Sequence, residues 1–334
     1  MLYVTTRDSK DAYTPRHPLT KDRGPDGGFF IPFRKICFTG EEIASLGEKS
    51  FGQCVAEVLN RFFPGKLTGW QVDFALGRRP IRLIAMSHKI LVGELFNNPG
   101  NSFPWSVRKL RDLLVPSEEV PEALSQWTVI AVRIALLFGI FGELMRRELA
   151  DQERPFDVAV AVDDFSGPVS VFYAKQMGLP IGRIVFGCNE NSGVWDLLHH
   201  GELHTGRRPV ETGTPLCDHA VSASLERLIY EKLGRGEAVR FAETVARKGV
   251  YALPDVTRAV LGEGFFGAVI SQKRMQSVIR NVHSTNGYEL HPYGALAYGA
   301  LQDFRAIQSE ATPALILTEF CPENSSADSA KEKE

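Results

Sequence analysis

Apolar residues recur at helical spacing at Phe51, Val55, Val58, Leu59 and Phe62. The spacing predicts a helical region over 41–63, with Ser50 capping its second half and Pro64-Gly65 stopping it. Residues 125–150 predict a long helix with an apolar middle, expected to be buried on most sides. Arg133 and Glu143 interrupt that middle, and no uninterrupted apolar run approaches the roughly twenty residues of a membrane span. Short apolar runs at 82–86 and 90–92 predict strands. The clearest supersecondary signal is a strand over 157–162, a turn to Pro168, a helix over 169–177 and a strand over 183–186. This is a βαβ unit. Further helices are predicted at 107–114, 223–233, 238–248, 253–261, 271–283 and 294–310, and a last strand at 314–317. Residues 1–35 are polar and turn-rich, and the Ser/Ala/Lys/Glu-rich tail 323–334 is expected to be disordered. The pattern therefore predicts one α/β domain over 1–322, with residues 1–80 as an amino-terminal segment packed on it.

Composition narrows the function. Lys+Arg number 38 and Asp+Glu 40, so the net charge is −2 and the basic excess of a nucleic-acid binder is missing. The five cysteines are scattered without a C-x-x-C, which points to reduced thiols and away from structural zinc. The first residues, Met1-Leu2-Tyr3-Val4-Thr5-Thr6-Arg7, lack a signal-peptide layout, so a cytoplasmic protein is expected. The one dense histidine cluster, from His199 to His204, ends a predicted helix at Gly201. Histidines in a last turn suit the helix dipole, so no metal is assigned there.

Several segments stand in a telling order. They are Tyr3-Val4-Thr5-Thr6-Arg7, 25–32 (PDGGFFIP), Glu94-Leu95-Phe96, 173–181 (YAKQMGLPI), Asn189-Glu190-Asn191, Thr214-Pro215 with Asp218, Ser222, Glu226 and Arg227, and Gly287-Tyr288 with Pro292. In this order the chain resembles threonine synthase, a fold-type II pyridoxal-phosphate (PLP) enzyme. The resemblance implies a mostly parallel sheet flanked by helices, the tryptophan synthase β-like large domain.

The departures from the family pattern are chemical. Aligned on Glu94-Leu95-Phe96, the Schiff-base lysine position is Pro104, which has no amine. The family's phosphate loop, G-N-F-G-N, corresponds to Asp163-Asp164-Phe165-Ser166-Gly167. Two carboxylates there would repel a phosphate dianion. The family's D-P-H-T becomes His291-Pro292-Tyr293-Gly294, and its T-A-H-P-A-K becomes Thr318-Glu319-Phe320-Cys321-Pro322. Ala131-Val132-Arg133-Ile134 resembles the family's W-A-R-I and follows Trp105 too closely for a domain to intervene. The resemblance thus implies a large domain whose small partner has been deleted.

No PLP is therefore expected, with Lys89, Lys109 and Lys175 as the alternatives for a relocated lysine. The vacated cleft is expected to hold catalytic Asp163, Asp164, His291, Glu319 and Glu94, with Asn97, Asn101, Ser166 and Tyr293 as substrate contacts and no metal. Asp163 and Asp164 have a second reading as helix caps. Two main functions remain open. One is a cofactor-independent acid–base enzyme, of lyase or cyclase type, acting on a small molecule. The other is a non-catalytic relative that binds a ligand or a partner. A residual PLP-dependent lyase is the weaker third. A homodimer is expected, because losing a domain exposes surface formerly packed and the 125–150 helix is too apolar to face water on all sides.

Overall fold

The structure is a computed structural model, which describes residues 1–8, 10–77, 81–86, 89–96, 102–115, 121–308 and 312–322. In chain order the first elements are β1 (Tyr3–Thr5), α1 (Arg16–Thr20), β2 (Phe30–Pro32), α2 (Gly40–Ala44), α3 (Phe51–Phe62) and α4 (Gly69–Ala75). There follow β3 (Leu83–Met86), β4 (Ile90–Glu94), α5 (Phe103–Leu114), α6 (Gln126–Arg146), β5 (Phe156–Ala161), α7 (Ser166–Gln176) and β6 (Ile181–Cys188). The remainder are α8 (Gly193–His200), β7 (Glu202–His204), α9 (Leu225–Leu233), α10 (Arg235–Arg247), β8 (Val250–Ala252), α11 (Asp255–Gly262), β9 (Phe265–Val269), α12 (Gln272–Asn286), α13 (Pro292–Ala306) and β10 (Ala314–Thr318). Contacts group them into two compact units.

The first unit holds residues 1–81, 103–155 and 169–181. The expected 41–63 helix is divided into α2, a 3₁₀ turn over Ser45–Glu48, and α3. The break falls where Ser50 starts a fresh helix. Its hydroxyl accepts the Gln53 N–H while the Gln53 side chain accepts the Ser50 N–H, a reciprocal cap. Ser125 caps α6 in turn, accepting from Thr128 N–H. Helix α6 packs on α3, and a Cβ on Gly139 would lie 2.4 Å from the Phe51 ring. At one end of α6, fully buried Trp127 donates its indole N–H to Tyr3 Oη (3.2 Å), and Tyr3 donates to the Phe62 carbonyl (2.9 Å). Arg133 lies over the Phe103 ring at 4.7 Å and donates to Ser170 Oγ at 3.4 Å. By length and composition α6 passes as a membrane span, yet 83% of its most apolar window is buried in the protein. Helix α5 starts at Phe103 instead of 107 and takes Pro104 into its first turn, where a missing N–H costs least.

The second unit holds residues 82–102, 156–168 and 182–334, and its core is a six-stranded sheet in the order β3-β4-β10-β5-β6-β9. Strand β10 pairs parallel with both β4 and β5, β6 pairs parallel with β9, and β3 is an antiparallel edge. The predicted βαβ unit is present as β5, α7 and β6, with β5 and β6 adjacent. Helix α7 starts three residues earlier than expected, at Ser166, because two aspartates supply its amino-terminal partners. Helix α13 packs on β5, β9 and β10. Phe265–Val269, to which the sequence pattern assigns no element, is the edge strand β9. The tail 323–334 lies outside the described residues.

Candidate functional site

Parallel strands put their carboxyl ends on one edge, where open α/β sheets carry ligand crevices. Strand β4 ends at Glu94, β10 at Thr318, and β5 runs into Asp163 and Asp164. Asp163, Leu216, Tyr293, Leu317, Glu319 and Phe320 line one cavity at this edge. Its volume is about 30 Å³, room for only about one or two waters. The structure thus brings Asp163, Tyr293 and Glu319 together around one cavity. The Tyr293 hydroxyl accepts the Leu216 N–H at 2.9 Å.

The aspartates face the chain itself. Asp164 Oδ1 accepts the Ser166 N–H (2.9 Å), Asp163 Oδ2 accepts the Ser166 hydroxyl (3.0 Å), and Asp163 Oδ1 lies 3.5 Å from the Gly167 N–H. Helix-start N–H groups have no intrahelical acceptors, and acidic side chains suit the positive dipole end. Ser166, expected to touch substrate, is buried with its hydroxyl on Asp163.

His291 precedes α13 and is 6% exposed. Its ring stacks on Tyr293 (5.3 Å, 10°) and lies 5.3 Å from Phe320, whose ring also meets Tyr293. Neither ring nitrogen has a hydrogen-bond partner or solvent contact among the described residues. Burial alone lowers its pKa from 6.5 to about 4, so the ring is neutral at pH 7. The unfolded chain takes up the proton first as pH falls. Stability from the neutral ring is therefore full above about pH 6.5 and is lost toward pH 4, by about 3 kcal/mol at most. His291→Phe should flatten this dependence in urea unfolding at pH 7 and pH 5. An unchanged slope would show that another group carries it.

Glu94 is 3% exposed and is held by Tyr288, which donates to Oε1 at 3.0 Å, and by Arg82 at 3.4 Å. Burial raises its pKa, against the lowering effect of Arg82 and Tyr288. Lys89 is exposed at the amino end of β4, about 16 Å of strand away from Glu94. Lys109 is exposed on α5, near the Trp105 ring at 5.7 Å. Asn97 and Asn101 lie outside the described residues.

Sequence reasoning missed the brace beside the aspartate loop. His219 Nε2 lies 3.1 Å from Ser222 Oγ, and its ring also meets the Asp163 backbone. Burial lowers its pKa, opposed by the Asp164 carboxylate. Ser224 N–H donates to the Asp164 carbonyl at 3.0 Å. The available signal was His219 itself, directly after Asp218 of the segment that resembles the family. Asp218 accepts from Asn189, Asn191 and Thr212, which ties the Asn189-Glu190-Asn191 segment down. Burial pushes the Cys188 thiol up to about 12 and the Cys217 thiol well above its ordinary value, which disfavours the thiolate of both. Among the described residues no three His, Cys, Asp or Glu are placed to hold a metal ion.

No family model matches the chain. Threonine synthase-like 1 of Macaca fascicularis is 26% identical over 147 residues, 43% of this chain and 20% of that protein. Threonine synthase of Corynebacterium glutamicum is 25% identical over 184 residues, 53% of this chain and 38% of that protein. The matched stretches thus span less than two fifths of these curated relatives. PLP-bound threonine synthase of Brucella melitensis superposes with a TM-score of 0.83 at 18% identity, covering 96% of this chain and 89% of that one. The chain is similar to threonine synthases and threonine synthase-like proteins in sequence and to threonine synthases in fold. The yeast threonine synthase structure agrees in fold, with a TM-score of 0.80, 16% identity and coverage of 99% of this chain and 89% of that one. This threonine synthase-like chain therefore has the fold-type II α/β architecture with a mostly parallel sheet.

Proposed function

We propose that this threonine synthase-like protein has left PLP chemistry and works as a non-catalytic relative that binds a ligand or a partner. The observation that carries the reading is the loop at the carboxyl edge of the sheet, where the Asp163 and Asp164 carboxylates are taken up by the chain's own Ser166 and Gly167. The residues present do not fit the cofactor of the family. Pro104 offers no amine, and the loop that would meet a phosphate presents the Asp163 and Asp164 carboxylates. A dianion beside two carboxylates is opposed electrostatically. The stretch from Trp105 to Ala131 holds only α5 and the start of α6 among its described residues, which supports a deleted small domain.

The acid–base enzyme reading keeps one observation in its favour, since Asp163 and Glu319 line the same cavity. It loses two of its expected bases: His291 is sealed at both nitrogens, and Glu94 is closed off by Tyr288 and Arg82. Dialysis of the purified protein against PLP tests the proposal. No stoichiometric cofactor should remain, by absorbance. Retention of one PLP per chain would overturn the reading.

A further inference from the structure

A second cavity, of about 240 Å³, lies wholly within the first unit, and none of its lining residues belongs to the site at the sheet edge. Three parts of the chain wall it. Helix α3 ends at Phe62, and after the Pro64-Gly65 turn the chain returns to it. The Asn60 side chain clamps that return: its amide donates to the Leu67 carbonyl (2.8 Å), and its oxygen accepts the Leu67 N–H (3.0 Å). Helix α1 is the second wall, tied to the start of α6 by the Ser125 and Thr128 hydroxyls, which donate to the Pro18 carbonyl. The third wall is the end of α5 with Val115. Hydrogen bonds thus hold two of the three walls, which lowers the ordering cost of binding.

The lining divides by chemistry. Leu19, Phe63, Leu67 and Val115 are buried and form an apolar floor. Arg16 and Lys66 are exposed and stand at the rim. No Asp or Glu is among the described residues that line the cavity, and Lys66 forms no ion pair among the described residues. An apolar floor under a cationic rim complements a molecule with an apolar body and one anionic end. An apolar cavity of about 150 Å³ takes a benzene ring, so the larger volume here admits a ring with a short acidic arm.

We infer that this pocket binds a small aryl or branched-alkyl carboxylate, its body on the floor at Leu19 and Phe63 and its carboxylate against Arg16 and Lys66. This deepens the proposed ligand-binding role, and rests on that reading, by giving it a site and a ligand class.

Calorimetric titration of the full chain with hydrocinnamate tests it, with methyl NMR of Leu and Val to locate the site. Hydrocinnamate should bind saturably, one per chain, and shift the methyls of Leu19, Leu67 and Val115. Hydrocinnamamide, with the same body and no charge, should bind about tenfold more weakly, and acetate, with no body, should not saturate. Arg16→Gln/Lys66→Gln alters only exposed side chains, so the protein should fold. It should lose about tenfold in affinity for the acid and keep the wild-type affinity for the amide. The inference is overturned if wild type does not bind the acid saturably, or if acid and amide bind equally. It is also overturned if the double variant binds the acid like wild type, or if the shifted methyls lie elsewhere. PLP retained by wild type would instead overturn the proposed function and leave these titrations unchanged, so the two failures are separable.

Discussion

Gly187→Ala should cost about 3 kcal/mol, at the upper end for an overpacked site. A Cβ at Gly187 would lie 2.2 Å from the Leu296 carbonyl oxygen and 2.4 Å from its carbon. Both are backbone atoms of α13, so no side chain can turn aside. Either β6 or α13 must move, and α13 also packs on β5, β9 and β10. The helix starts beside His291 and carries Tyr293, so the same shift would disturb the cavity wall. Urea unfolding followed by circular dichroism reads the loss. A cost within a few tenths of a kcal/mol would mean that the close approach of α13 to β6 is misplaced.

Trp127→Ala should cost about 4 kcal/mol, as expected for deleting a buried indole. Trp127 is fully buried at the start of α6, with edge-on contacts to Tyr3, Phe62 and Tyr173 at 5.6 to 5.8 Å. Its N–H also serves the Tyr3 hydroxyl, whose own proton goes to the Phe62 carbonyl. Truncation therefore opens a cavity and removes one donor from a buried relay. Trp127→Phe keeps most of the packing and should lose much less. Equal losses for the two variants would assign the effect to the hydrogen bond instead of the packing.

Where local signals decide an element, the sequence carried it. Ser50 and the spacing from Phe51 to Phe62 define α3, and Gly201 at φ 82 ends α8 as its position suggested. Long-range pairing was not legible. The last strand, β10, inserts between β4 and β5, and no local pattern reports a partner more than two hundred residues away. Strand β9 was missed because it is half-buried at an edge and contains Gly267. At the candidate site, residue types identified Asp163, Tyr293 and Glu319, which do share a cavity. Sequence could not decide whether Asp163 and Asp164 face a ligand or their own backbone. That depends on the left-handed turn at Phe165, which residue type alone does not dictate. Nor did it reveal that His291 sits sealed behind two rings, because stacking depends on the packing of Phe320 against the start of α13.

The central claim is that the whole cofactor site, and not its lysine alone, has gone. Borohydride reduction after incubation with PLP, followed by peptide mapping of wild type and of Pro104→Lys, measures it directly. Sparse, unselective labelling of exposed lysines is predicted for both proteins, since the loop in place of the family's phosphate loop still presents the carboxylates of Asp163 and Asp164. A stoichiometric pyridoxyl group on one lysine, at position 104 in the variant or at any position in wild type, would contradict the account.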